Sequence, residues 1–396
     1  MAQKTFAQET GVIRLAVRAT LVIFGLAVIL STAVALAARQ GAAAPPSAWL
    51  AFTADPEQVS HLYRMRLVDG QTQRASDWPR GERYPAFSPD GAWLAFECRD
   101  VIAQAWLCVM PSDGGQVRFL QPILEYEGNI AWSPDSVWIG FVAKYQGAPQ
   151  VYRVRPDGSG VRRLTPAPNT RHTLTWSPDG RWITFIMYYH GERDLFRIPA
   201  NGGEELRLTD QDLNNAELNW SPDGEWLAYL CLQPGVRRPA LCRVRFDGTA
   251  RETVLALDDD LRMGRPIWSP DGEWITIPAM QTDVAGLWYH IYRVRPDGGD
   301  LQDLIGRQAG VVSDLQWSPD GRWLAFDYSL NGMITDLYRI DASGANLEQL
   351  TYNTSHHAWG PHWSPPVTVS FRSVLALGVG VGCCVAGLWL RAKRKE

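Results

Sequence analysis

Seven times the chain spells a Ser-Pro turn with an aromatic residue just before it: FSPDGAW from Phe87, WSPDSVW from Trp132, WSPDGRW from Trp176, WSPDGEW from Trp220 and Trp268, WSPDGRW from Trp317 and WSPP from Trp363. The serines, Ser88, Ser133, Ser177, Ser221, Ser269, Ser318 and Ser364, follow one another at intervals of 44 to 49 residues. That is the length of one four-stranded propeller blade and too long for most helical repeats. Proline presets φ and the glycine of Asp-Gly supplies a positive φ, so each motif joins two strands in a tight hairpin. The expected fold is all-β, a seven-bladed β-propeller.

Each repeat reads as four short strands, A to D, separated by Gly, Pro, Asp and Asn. Residues 172–209 show the pattern most cleanly, as HTLTWSPD, GRWITFIM, DLFRIPA and EELRLTD. The C-to-D connections, such as RPDGSG at 155–160 and RPDGGD at 295–300, are also hairpins. They are not phosphate loops, which open a helix after a strand. WLAFTAD at 49–55 matches WLAFECR at 93–99 and WLAFDYS at 323–329, so the chain enters the ring at a strand B. The missing strand A is GPHWSPP at 360–366. The C-terminal strand is therefore expected to pair into the first blade, closing the ring and removing free sheet edges.

Thirteen of the eighteen tryptophans are repeat positions, six on strand A and seven on strand B (Trp49, Trp93, Trp138, Trp182, Trp226, Trp274 and Trp323). Residues that every blade demands are expected to pack between blades. Strand C carries a periodic arginine at Arg64, Arg153, Arg197, Arg243, Arg293 and Arg339. These are expected to pair with turn aspartates such as Asp179 and Asp320, or with backbone carbonyls.

The ends differ in kind. Residues 19–38 and 373–390 are uncharged apolar stretches of twenty and eighteen residues, each long enough to cross a bilayer as a helix. Lys4, Arg14 and Arg18 precede the first, and Arg391, Lys393, Arg394 and Lys395 follow the second. The positive-inside rule then places both termini in the cytoplasm and the ring outside, on a two-pass plasma-membrane protein. An ALA sequence at 35–37 leaves open cleavage of the first stretch as a signal peptide. The expected organisation is a cytoplasmic segment 1–18, a span 19–38, a linker 39–48, a propeller 49–366, a linker 367–372, a span 373–390 and a basic tail 391–396. Cys98 and Cys231 each lie five residues after a strand-B tryptophan, and Cys108 and Cys242 share a strand-C position. Facing Cα atoms on adjacent strands lie within disulfide range, so Cys98–Cys108 and Cys231–Cys242 are expected disulfides of an oxidising compartment. Buried free thiols are the alternative.

Strand A runs toward the Ser-Pro-Asp-Gly turns, so both tethers leave from the turn face and their linkers, each reaching about 25–35 Å, hold that face near the membrane. The opposite face carries the most variable connections, where binding residues concentrate on a rigid scaffold. Its candidates are Tyr188, Tyr189, His190 and Glu192; the acidic tip Asp258, Asp259 and Asp260; Trp288; and His356, His357 and Trp359. No metal or cofactor is expected, because the acidic tip offers too few ligands in register for calcium and neither cysteine pair brings histidines at zinc-ligand spacing. A net charge of -4 without a basic patch disfavours nucleic acid.

The turns, third strands such as IYRVRPDG at 291–298, and fourth strands RRLT at 162–165 and EQLT at 348–351 resemble the WD-like repeats of the TolB family of propellers over residues 49–366. That resemblance implies an extracytoplasmic ring that binds protein. Similar propellers gate prolyl-peptidase domains, but no Gly-x-Ser-x-Gly elbow is found here, and the chain has seven blades where TolB has six. The expectation is a membrane-anchored scaffold, not an enzyme, binding a protein or cell-envelope ligand on the outward face. The alternatives are a propeller enzyme acting on an envelope glycan or peptide, and a sensor working through a membrane partner.

Overall fold

A computed structural model describes residues 49–365, apart from 57–58, 103, 121–124, 146, 167–170, 190–191, 211–212, 234–238, 258–260, 284–285, 330–333 and 353–356. The chain divides into two units, Met1–Pro46 and Ser47–Glu396, and the described residues belong to the second. Both apolar terminal stretches lie outside them. Among the described residues no helix is long and apolar enough to cross a membrane.

Seven antiparallel sheets follow one another. In the fourth blade the strands are Arg171–Trp176, Trp182–Tyr189, Glu192–Pro199 and Leu206–Arg207, paired in sequence order. Blades two, three, five and seven repeat this plan. Blade six has six strands, because its first and last are each broken in two. In blade one, Trp49–Ala54, His61–Arg66 and Thr72–Arg74 are joined by Ala358–Trp363, with Leu50 opposite Trp363 and Ala54 opposite Ala358.

Each turn motif builds its own hydrogen-bond clamp. In blade five the Ser221 amide donates to the Trp226 carbonyl at 2.8 Å, and the Trp226 amide donates back to Ser221 Oγ at 2.9 Å. Ser221 Oγ–H donates to Asp223 Oδ1, which also accepts the Glu225 amide at 2.9 Å. Serine is needed because one hydroxyl both accepts and donates. The two serine–tryptophan bonds of this clamp also link Ser364 to Trp49, with the Ser364 amide on the Trp49 carbonyl at 2.9 Å and the Trp49 amide on Ser364 Oγ at 3.1 Å. A Cβ added to Gly91 would come within 3.1 Å of Pro365, so the first complete turn lies directly against the last.

The core is a set of layers between neighbouring blades. Leu50, Phe52 and Trp363 of blade one pack with Ala325 and Leu337 of blade seven. The strand-A aromatics are buried there, and Trp132, Trp176 and Trp363 donate their Nε1 protons to the preceding blade at Ala86, Ala131 and Gln316.

The strand-B tryptophans behave otherwise. They are half-buried, and six carry the periodic strand-C guanidinium over the ring, 3.8 to 4.9 Å from the centroid. The expected pairing of those arginines with turn aspartates is therefore corrected, because their guanidinium groups lie over the strand-B rings, whereas the alternative expectation of backbone carbonyls holds for Arg64, Arg153 and Arg293. Arg64 and Arg153 instead donate to the carbonyls of Ser112 and Ala200 at 2.8 Å, and Arg243 and Arg339 pair with Glu252 and Glu348.

Cys98 and Cys108, and Cys231 and Cys242, lie at disulfide distance, both pairs with Cα atoms 5.9 Å apart. They are diagonal neighbours, not facing ones. Cys98 faces Trp106 and Cys108 faces Phe96, while Cys231 faces Ala240 and Cys242 faces Tyr229.

Candidate functional site

The position four residues before each motif serine is held by Tyr84, Asn129, Thr173, Glu217, Arg265, Asp314 and Gly360. At this point strand A loses register with strand B in every blade but the sixth, where the strand itself breaks between Met263 and Ile267. Four of the seven residues have positive φ: Tyr84 at 55°, Asn129 at 63°, Asp314 at 47° and Gly360 at 65°. Bulges re-aim a side chain that regular pleating would send elsewhere, and non-glycine residues with positive φ persist only where their surroundings hold them.

The bulges converge. Asn129, Thr173, Glu217, Arg265 and Asp314, one from each of five consecutive blades, line a single cavity of about 300 Å³, with Ser313 beside them. A space shared by five successive innermost strands lies on the axis of the ring. Asn129 Oδ1 accepts the Leu174 amide of the next blade at 3.0 Å, which fixes that side of the wall. Behind Asp314 lies Asp327, 2% exposed, which faces Ser313 across the sheet and takes the Gly360 amide on both oxygens at 3.1 and 3.2 Å.

Burial raises the Glu217 carboxyl above its ordinary range, Arg265 pulls it back and the Asp314 charge pushes it further. Glu217 Oε2 is buried and finds no hydrogen-bond partner among the described residues. Burial and the Asp314 charge hold the Asp327 carboxyl well above the usual carboxylate range. Burial drives His362 down to about 4, against a hydrogen bond to the Trp363 carbonyl and with the Arg265 charge adding to the fall. The site thus presents two carboxyl groups and a guanidinium to one small space.

The candidates read from the outward loops do not assemble in this way. Tyr188 accepts a hydrogen bond from Arg193 Nε at 2.9 Å, and the guanidinium lies over its ring. Tyr189 faces Glu192 across the hairpin of blade four. Trp288 donates to Asp283 at 3.0 Å and carries Arg307 over its ring at 4.1 Å. His357 donates its amide to Asp55 at 2.7 Å and meets Trp359 edge-on at 6.2 Å. No contact among the described residues joins Tyr188, Trp288 and His357, and His190, Asp258, Asp259, Asp260 and His356 lie outside them. Among the described residues no group of three or more His, Cys, Asp or Glu could hold a metal ion.

Sequence reading missed the channel residues because the seven positions share no residue type. The available signal was positional, in that three of the seven are Asn, Asp or Gly, the residues that tolerate a left-handed backbone.

A family model described as the TolB beta propeller domain matches residues 42–257, and one described as the WD domain, G-beta repeat, matches residues 298–334. No curated protein matches the sequence. Among solved structures the chain is similar to TolB from Acinetobacter baumannii, with a TM-score of 0.51 and 15% identity over 81% of this chain and 67% of that one. It is similar to oligogalacturonate lyase from Vibrio parahaemolyticus, with a TM-score of 0.61 and 13% identity over 74% and 86%. It is also similar to prolyl oligopeptidase B from Galerina marginata, with a TM-score of 0.59 and 12% identity over 74% of this chain and 47% of that one. At these identities the likeness is one of fold.

Proposed function

Because this chain belongs to the TolB β-propeller family, we propose that it is an extracytoplasmic binding scaffold, anchored in the plasma membrane by its apolar terminal segments, that presents its loop face to a protein or cell-envelope ligand. The contrast between the two faces of the ring carries this reading. On the turn face, every Ser-Pro-Asp motif from Ser88 to Ser318 closes its serine hydroxyl onto its own aspartate, leaving a surface that repeats from blade to blade. The opposite connections differ from blade to blade, as variable loops on a fixed scaffold do when they serve recognition.

Two equivalent cysteine pairs at disulfide distance support an oxidising compartment. The basic residues flanking the two apolar segments support cytoplasmic termini. Tyr188, Trp288, His357 and Trp359 are the loop-face residues we assign to contact.

The test is photo-crosslinking in intact cells, with a photoreactive residue placed at Tyr188, at Trp288 or, on the turn face, at Val137. The reading expects discrete adducts from the first two sites, none from the third, and digestion of the ring by protease added outside. Adducts from Val137 alone, or a ring protected from external protease, would overturn it.

A further inference from the structure

We infer that the axial cavity is a binding site for a small ammonium-bearing zwitterion, an amino acid, with Glu217 and Asp314 taking ammonium groups and Arg265 taking the carboxylate. The inference does not depend on the scaffold reading, which concerns the loop face. Three observations carry it.

The cavity of about 300 Å³ is at the lower end of the range of small-molecule sites, about 300–1,000 Å³. Its charged groups come from three adjacent blades, five, six and seven, and alternate acid, base, acid around the axis as Glu217, Arg265 and Asp314. None of the three forms an ion pair among the described residues, although Asp314 shares a side-chain hydrogen bond with Asp327. Glu217 Oε2 is buried without a partner, although an unpaired buried oxygen costs about 1–3 kcal/mol and a carboxylate is an acceptor that wants donors. Arg265 is exposed to the cavity, and its planar fork suits a carboxylate.

Counting formal charges identifies the kind of amino acid. With the buried Asp327 carboxyl behind Asp314 counted as protonated, the two lining carboxylates and one guanidinium leave one negative charge uncompensated, and a basic amino acid brings two ammonium groups and one carboxylate. Val312, Leu315 and Pro278 complete the wall and suit an aliphatic stem.

Calorimetric titration of the full chain in detergent micelles tests this, with L-lysine, L-glutamine, L-glutamate and lysinamide as probes. L-lysine should bind tightest, L-glutamine more weakly and L-glutamate weakest. Lysinamide, which keeps both amines but stands for a peptide-linked residue without the free carboxylate, should bind about tenfold or more worse than L-lysine. Asp314→Asn should weaken L-lysine by a similar factor, about tenfold. It should leave the fold intact, since Asn129 already holds the equivalent left-handed position. Arg265→Gln should remove the difference between L-lysine and lysinamide. No binding of L-lysine, equal binding of L-glutamate, or lysinamide binding as tightly as L-lysine would each overturn the proposal. None of these outcomes bears on crosslinking at the loop face.

Discussion

Asp327 and His362, both near the channel, titrate in opposite senses. Asp327 is held well above its ordinary value of 3.8 by burial and the Asp314 charge. Above the unfolded value the native state keeps a proton that the unfolded chain has lost. Its contribution is therefore whole below the ordinary carboxylate range and is lost as pH rises through the folded value. His362 is lowered from 6.5 to about 4. Its contribution is whole above 6.5 and is lost as pH falls through that interval, by at most about 3 kcal/mol; because the residue is only partly buried, the loss is smaller than that. Asp327→Asn keeps an acceptor for the Gly360 amide and should raise the melting temperature at neutral and alkaline pH while changing little in acid. Thermal melts across a pH series measure this, and an equal loss at every pH would refute it. At this scale the turn chemistry was legible, since Ser, Pro, Asp and Gly each have one local job. The carbonyl partners of the arginines were legible too, but their tryptophan partners were not, because Arg243 meets Trp226 through a diagonal relation between strands, with Ala228 its facing residue.

Among the elements, the A-to-B hairpin is the unit that repeats, and its serine hydroxyl is the joint. Ser221→Ala removes the acceptor of the Trp226 amide and the donor to Asp223 while leaving the backbone pairing of Leu227 with Trp220 in place. The expected cost is about 1–3 kcal/mol, because one amide is left without its partner in a buried turn. Chemical denaturation measures it, and an unchanged midpoint would mean that water replaces the hydroxyl freely. Strand positions were readable from the spacing of turns and tryptophans. The bulges were not, because a strand's alternation says which face a residue takes only while register holds. Five channel residues therefore looked like ordinary strand positions, and the binding candidates were sought in the loops. The cysteines show the same limit: their strands were readable, but facing and diagonal neighbours differ only by register.

The whole molecule depends on whether the interface between blades one and seven is equivalent to the others, since its two sides are separated by nearly the full length of the ring. Trp363 and Trp176 make matching contacts there and between blades three and four. Each is nearly fully buried, and each donates Nε1 to the preceding blade, at 3.1 Å to Gln316 and 3.0 Å to Ala131. Truncating a buried tryptophan costs about 3–5 kcal/mol where the surroundings cannot collapse. In a closed ring no interface is terminal, so Trp363→Ala and Trp176→Ala should cost about the same, in a single cooperative transition. If the Ala358–Trp363 strand only rests on an otherwise complete structure, Trp363→Ala should be nearly silent, because an end strand can fray without exposing the rest. Equilibrium unfolding of both variants, followed by tryptophan fluorescence and by circular dichroism, separates the cases. Equal losses with coincident transitions are expected, because the Ser364–Trp49 link repeats the two serine–tryptophan bonds of the continuous hairpins. A silent Trp363→Ala would mean that the seventh interface is not a structural equal of the rest.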